Sequence, residues 1–308
     1  MKIVSLLASG TEIVCELGLE ASLVGISHEC DHPPEILDRP RLSRPRFDPA
    51  GLSSAEIDRA VRDAASAGAS PYVLDVEKLA ELAPHLVLTQ AMCEVCAVPV
   101  QGARQACETA GIDAAILSLD AHSLREVLDC VGLVGGATGR ADRAAALVAA
   151  LRQRLHDVTR AVAGTRRPRV LALEWLDPIF VPGHWVPEMI DLAGGECLAG
   201  EAKARSVQVD AEELAGLDPD VLLIMPCGYG LAASRRDADA HARRLAGLAP
   251  RAIEEGRAFV VDASSYFNRS GPRVVEGVEI LAGLIHPEIF PLPAAGRADT
   301  WRPAPEKA

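Results

Sequence analysis

The chain has 308 residues and a formal net charge of -12, with 49% hydrophobic and 24% charged residues. That acidity leaves no basic stripe to neutralise phosphates, which excludes a nucleic-acid partner and disfavours adsorption to an anionic membrane. No apolar run approaches the ~18 residues a membrane span needs, and the length suits two lobes, because single hydrophobic cores stop growing near ~250–300 residues.

In chain order, Lys2 to Ala8 reads as a first strand. Met1-Lys2 passes at once into Ile3, Val4, Leu6 and Leu7, an apolar run too short for a signal peptide. The expectation is a cytoplasmic protein, or a periplasmic or extracellular one if the sequence starts at its mature end. Ser22 to Ser27, His85 to Gln90 and Asp113 to Ser118 follow as further strands, with amphipathic stretches between them. The pattern is α/β. Cys15, Cys107 and Cys130 fall at apolar helical positions and are expected as buried small hydrophobes, whereas Cys30, Cys93, Cys96 and Cys227 lie among loop signals.

From Gly139 to Gly164 the spacing of Leu147, Leu151, Leu155, Val158 and Val162 predicts one long helix with a single apolar stripe, a stiff brace between lobes. Strands resume at Arg169 to Glu174, Asp220 to Met225 and Ala258 to Asp262, and a helix from Gly271 to about Leu284 closes the second lobe. The expected organisation is a first lobe over 1–138, a linker helix over 139–164, a second lobe over 165–290 and a tail over 291–308. Glu77, Leu79, Ala80, Leu82, Pro84 and Leu88 recur as Glu212, Leu214, Ala215, Leu217, Pro219 and Leu223 at a constant offset of 135 positions. Each set reads as helix, Pro-marked turn and strand, so the two lobes are expected to be pseudo-symmetric. Ligands of open α/β sheets bind beyond the carboxyl ends of the strands, which places the loops after these strands at a shared cleft.

Four stretches carry a family resemblance: Ser5 to Val14, Gly25-Ile26-Ser27-His28-Glu29-Cys30-Asp31, Gly183 to Met189 with Ala193-Gly194-Gly195, and Asp262 to Arg269. With the repeated helix-Pro-strand unit, they make the chain resemble the ABC-transporter substrate-binding proteins whose two Rossmann-like lobes are joined by one backbone helix, most nearly their vitamin B12 (cobalamin) branch. The resemblance implies cobalamin or a related corrinoid in the inter-lobe cleft, carried rather than transformed. It also implies an ABC permease as partner. Family members dock such a permease through acidic residues on both lobes; Glu188 suits one of them, whereas Gln101 stands where an acid is expected on the other, so weak docking is the expectation.

Candidate ligand contacts are Trp175, His184, Trp185, Tyr229, Tyr266, Phe267, Asn268 and Arg269. Aromatic residues supply wide apolar area for a large flat ligand, and the guanidinium of Arg269, with Arg273 and Arg46 as further candidates, offers a planar fork of donors. His28, Cys30, Cys93 and Cys96 make a candidate metal set of one imidazole and three thiolates, suited to zinc, an iron-sulfur centre or the cobalt of a corrinoid. Free thiols or a Cys93-Cys96 redox pair are the competing readings. Two other functions stay open here: a cytoplasmic metalloenzyme or redox protein using that set, and a carrier of metal, haem or siderophore. The chain has no Gly-x-Gly-x-x-Gly after its first strand, no phosphate-binding loop, no Gly-x-Ser-x-Gly and no His-Glu-x-x-His.

Overall fold

The computed structural model describes residues 1–67, 70–91 and 98–304. Strands β1 (Ile3–Ser5), β2 (Leu23–Ile26), β5 (Leu86–Thr89) and β6 (Ala115–Ser118) form a parallel sheet in the order β2-β1-β5-β6. A side hairpin of β3 (Ser43–Pro45) and β4 (Tyr72–Leu74) frames the helix Ser54–Ser66. In the second lobe β7 (Arg169–Leu173), β10 (Glu196–Cys197), β12 (Val221–Ile224), β13 (Ala258–Val261) and β14 (Ala298–Thr300) run in the order β10-β7-β12-β13-β14, all parallel except the last. β8 (Trp175–Leu176), β9 (Ile179–Val181) and β11 (Val207–Gln208) make a small antiparallel sheet beside it.

Period-two alternation assigns each parallel strand to two apolar layers. In β7, Val170 and Ala172 join one cluster while Leu171 and Leu173 join another; β12 splits Val221 and Leu223 from Leu222 and Ile224 in the same way. In the first lobe Ile3, Leu86 and Leu88 face inward and Val4 and Val87 outward. Each lobe keeps a private outer cluster, and the inner faces of both sheets share a third and largest one. The two lobes expected from the length are therefore joined by one common inner core.

The brace appears as the helix Ala141–Ala161, 21 residues and about 30 Å long at 1.5 Å per residue. Its buried positions Ala144, Leu151 and Val158 are seven apart, a single stripe laid over the shared cluster. It packs on the first-lobe helix Leu124–Ala137 so closely that a Cβ on Gly135 would stand 2.4 Å from that of Ala144. Toward the second lobe Arg154 holds Glu279 with two hydrogen bonds of 2.8 and 2.7 Å.

The repeat is visible in the backbone. β5 and β12 are 135 positions apart, as are the helix-capping residues Asp75 and Asp210. Ala83 and Asp218, one position before the paired prolines, both have φ 43°. Ala83 is the left-handed cap that ends the helix Val76–Leu82, as residues in that conformation commonly do, whereas the helix Ala211–Leu214 has already ended at Ala215 and Asp218 lies in the turn into β12.

Two expectations change. The first strand ends at Ser5 rather than Ala8: Leu6 N–H still bonds Leu88 O, but Ser5 Oγ donates to Leu7 O and the helix Ala8–Glu16 begins. The tail expected over 291–308 returns to the sheet, since β14 pairs with β13, and Trp301 is fully buried with its indole N–H on Asp239 Oδ1 at 2.8 Å.

Candidate ligand-binding cleft

Loops leaving the carboxyl ends of β2, β12 and β13 meet around a cavity of about 280 Å³ between the lobes. The first lobe contributes His28, Glu29, Cys30, Asp31 and Arg41; the second contributes Gly228, Gly230, Asp262, Ser264, Ser265 and Arg269. The β2 loop is pre-shaped by one cation: Arg41 Nη1 donates to the carbonyls of Ser27, His28 and Cys30 at 3.1, 2.9 and 3.0 Å. On the facing side Asp262 caps the short helix Ala263–Tyr266 by accepting from Ser265 N–H, and Ser264 N–H bonds Tyr229 O, tying the β12 and β13 loops together.

Four charges join the lobes at this cavity. Arg269 donates to both oxygens of Asp31, at 2.5 and 2.9 Å, and to Glu29 O at 3.0 Å, with Glu12 Oε1 3.5 Å away. Arg273 donates to Glu12 Oε1 at 2.5 Å. Glu12 is 3% exposed and Arg269 11%, whereas Asp31 at the rim is 55% exposed. Burial works against the Arg269 charge, but Asp31, Glu12 and Glu29 outweigh it and hold the guanidinium firmly protonated. Burial likewise raises Asp31, and the hydrogen bonds and charge of Arg269 reverse this, leaving the carboxyl below its usual range. Glu29 is lowered too, chiefly by the imidazole of His28 and then by Arg269. His28 Nε2 stands 3.2 Å from Glu29 Oε1 and has no aligned hydrogen-bond partner.

Further contacts cross between the lobes. Trp175 donates its indole N–H to Ser54 O and Asp177 O and packs against Tyr229 with ring centroids 5.2 Å apart. Ser54 Oγ donates to the buried Asp237 at 3.0 Å. Burial pushes the Tyr229 hydroxyl up to about 12. His184, at φ 50°, lies against His122 of the first lobe with centroids 5.6 Å apart, and burial lowers its pKa. Glu188, the acid expected on a permease-docking surface, accepts the backbone N–H of Leu124 at 2.8 Å and is engaged at the lobe junction.

The eight expected ligand contacts therefore separate. Arg269 lines the cavity, Trp175 and Tyr229 pack together where Trp175 reaches Ser54, and His184 sits against His122 of the first lobe. Trp185 and Phe267 are core residues, 3% and 0% exposed, joined by a 2.7 Å bond from the indole N–H to the Phe267 carbonyl. They have no surface to offer a ligand. Tyr266 is covered by the guanidinium groups of Arg273 and Arg297, each within 6 Å of its ring, and Asn268 beside it has a buried Oδ1 with no protein partner. Arg46 bonds Ser70 O at the surface.

Of the candidate metal set, Cys93 and Cys96 lie outside the described residues. His28 is oriented by Ser43 Oγ, 2.8 Å from its Nδ1. Cys30 is buried, its sulfur 3.1 Å from Thr11 Oγ1, and burial raises its thiol pKa, which opposes the thiolate a metal requires. Among the described residues no three His, Cys, Asp or Glu side chains come together as metal ligands. Cys15 and Cys130 are buried as expected, with thiols pushed up to about 12, and Cys107 is buried as well. Sequence reasoning missed Asp31, Arg41, Asp262, Ser264 and Ser265 as cavity residues; for Asp262, Ser264 and Ser265 the position just after β13 was the available signal, and Asp31 lies in the loop that follows β2, whereas Arg41 sits near the start of β3 with no such mark.

The periplasmic binding protein family matches residues 3–264. An ABC transporter substrate-binding lipoprotein of Bacillus subtilis is 26% identical over 94% of this chain and 81% of its own length. A cobalamin-binding protein of Halobacterium salinarum is 27% identical over 92% of this chain and 69% of its own length. Among solved structures, a periplasmic haem-binding protein of Pseudomonas aeruginosa superposes with a TM-score of 0.74 at 23% identity, over 98% of this chain and 99% of that one. No described helix is long and apolar enough to cross a membrane.

Proposed function

The chain belongs to the periplasmic binding protein family, and from that premise we propose that it carries a tetrapyrrole, cobalamin or a related corrinoid, in the cleft between its lobes. The observation that supports this most is the cavity itself: loops from the carboxyl edges of both parallel sheets converge on it, where open α/β folds bind ligands. The half-buried Trp175 and Tyr229 provide aromatic area beside it. A relative named for cobalamin binding, aligned over nearly the whole chain, favours the corrinoid among the tetrapyrroles.

At about 280 Å³ the cavity is smaller than the ~300–1,000 Å³ typical for a drug-sized ligand, so a corrinoid enters by parting the rim contacts around Asp31 and Ser54. The relative named as an ABC transporter substrate-binding lipoprotein supports delivery to an ABC permease from outside the cytoplasm, and favours that location over the cytoplasmic expectation. With Glu188 occupied at the lobe junction, weak docking remains the expectation.

The test is titration with cyanocobalamin by calorimetry, together with the fluorescence of Trp175, since Trp185 and Trp301 are buried in the core. Saturable one-to-one binding is expected, with quenching that is reduced in Trp175→Phe. Absence of binding by calorimetry, with a ferric siderophore binding instead, would overturn the corrinoid reading.

A further inference from the structure

We infer that the helix Ser54–Ser66 is a strap fastened across the cleft of the empty protein, which lifts off the second lobe when ligand enters and whose clasp therefore lowers affinity. The inference rests on the tetrapyrrole reading above, in which the ligand is larger than the cavity, and adds the element that gives way.

The strap is rooted at one wall and fastened to the other. Its root is the β3–β4 hairpin, closed where Arg46 donates its backbone N–H to Pro71 O at 2.7 Å and its Nε–H to Ser70 O at 3.0 Å. That hairpin stands against the first-lobe wall: the cavity-lining His28 meets Ser43 Oγ and lies beside the Tyr72 ring, with centroids 4.9 Å apart. The helix itself lands on the second lobe. Ser54 Oγ donates to Asp237 Oδ1 at 3.0 Å, Ser54 O accepts the Trp175 indole N–H at 3.3 Å, and Arg62 Nη2 donates to Gln208 Oε1 at 2.8 Å. Trp175 packs on Tyr229, whose chain neighbours Gly228 and Gly230 line the cavity.

This fastening is thin. Ser54 is buried, but Ile57, Ala60, Val61 and Ala64 are only half-buried and Glu56, Arg59, Arg62 and Asp63 are exposed, so lifting the helix uncovers little apolar surface. The helix also keeps its own start. The backbone N–H and the hydroxyl of Ser53 both donate to Glu56 Oε2, at 2.8 and 2.7 Å, Glu56 N–H donates back to Ser53 Oγ at 3.3 Å, and Arg62 Nε–H bonds Asp58 Oδ2 at 2.7 Å. Ahead of it the chain turns at Gly51, which has φ 82° and nothing within 4 Å of the place a Cβ would take, an unobstructed point for a hinge. The clasp is strained chemically as well. With Ser54 docked, Asp237 is 8% exposed, its Oδ2 lacks a protein partner, and the nearest cation is His241, whose Nδ1 is 3.4 Å from Oδ1. Lifting the strap lets water reach that oxygen and releases the Trp175 indole for ligand. The docked and lifted states are therefore close in free energy, the condition under which one small element opens while the braced lobes stay in place.

A binding-competent state that is only partly populated weakens apparent affinity by its fraction, so loosening the clasp should tighten binding. The three tryptophans supply built-in reporters: the nitrogen–proton NMR spectrum of their indoles holds one signal each, with that of Trp175 identified by its loss in Trp175→Phe. Arg62 lies about 12 Å along the helix from Ser54 at 1.5 Å per residue. In the ligand-free protein Arg62→Ala should move the Trp175 signal in the same direction as Ser54→Ala, because the helix lifts as one body, and leave Trp185 and Trp301 in place. In stopped-flow mixing with cyanocobalamin, Ser54→Ala should raise the association rate and tighten binding about tenfold with dissociation unchanged, the size expected for loss of a hydrogen bond to a charged group. A Trp175 signal unmoved by Arg62→Ala, or binding that weakens or stays the same in Ser54→Ala, overturns the strap. If the indole signals respond as expected but cyanocobalamin does not bind, the corrinoid reading falls and the strap stands.

Discussion

Replacing Arg273 by Met isolates the energetic role of the cross-lobe charges. Glu12 is 3% exposed; its Oε1 accepts from Arg273 at 2.5 Å, and its Oε2 already lacks a protein partner. Methionine preserves much of the apolar stem and removes the charge. Leaving a buried carboxylate without its partner costs ~3–5 kcal/mol. Arg269 remains 3.5 Å from Glu12 but is already shared with Asp31, so it offsets only part of that loss. We expect Arg273→Met to destabilise the protein by ~2–3 kcal/mol, read from urea unfolding followed by circular dichroism. Adding Glu12→Gln removes the orphaned charge and should recover ~1–2 kcal/mol, a coupling that independent sites would not show. A loss below ~0.5 kcal/mol, the range of ordinary surface substitutions, or strict additivity of the two changes, would refute the argument that these groups hold the lobes through a desolvated pair.

Glu174 is buried with one hydrogen-bonding side chain, Ser206, and burial raises its pKa from 4.5 to about 7. Its protonated form therefore contributes stability that is complete below pH ~4.5 and lost as the pH rises through about 7; Glu174→Gln should raise the melting temperature at pH 8 and change it little at pH 4.5, and equal effects at both would contradict this. Trp301→Ala should cost ~3–5 kcal/mol in denaturant unfolding, because the fully buried indole seals the outer layer of the second lobe; a surface-like loss would restore the tail expectation. Small-angle scattering should give a radius of gyration near ~19 Å with and without cyanocobalamin, since the backbone helix is clamped to both lobes; a large compaction on binding would count against it.

The sequence disclosed the architecture well because its signals were periodic. The stripe of Leu151 and Val158 marked the brace, and the 135-residue repeat marked the equivalent central strands β5 and β12. Short extended pieces escaped: β3, β4, β8, β9 and β11 are two or three residues long, too brief for alternation to register. At the cleft, residue type misled. Trp185 and Phe267 resemble ligand contacts by chemistry, yet both face the shared cluster, and burial depends on neighbours far away in the chain. Asp31 and Arg41 resemble ordinary solvated charges until the fold brings Arg269, over two hundred positions later, against the same loop.

The apolar cluster beneath the backbone helix draws on Ile3, Leu86 and Val131 from one half and on Val170, Val221 and Val278 from the other. Neither half owns a complete inner layer. A fragment cut at Gly139 would expose to water the face that its partner now covers, at roughly 25 cal/mol for each Å² of apolar surface. The repeat thus survives as a pattern of strands and turns while its copies have given up independence: the chain should melt in one cooperative step, and severed halves should be insoluble apart and regain structure only when mixed.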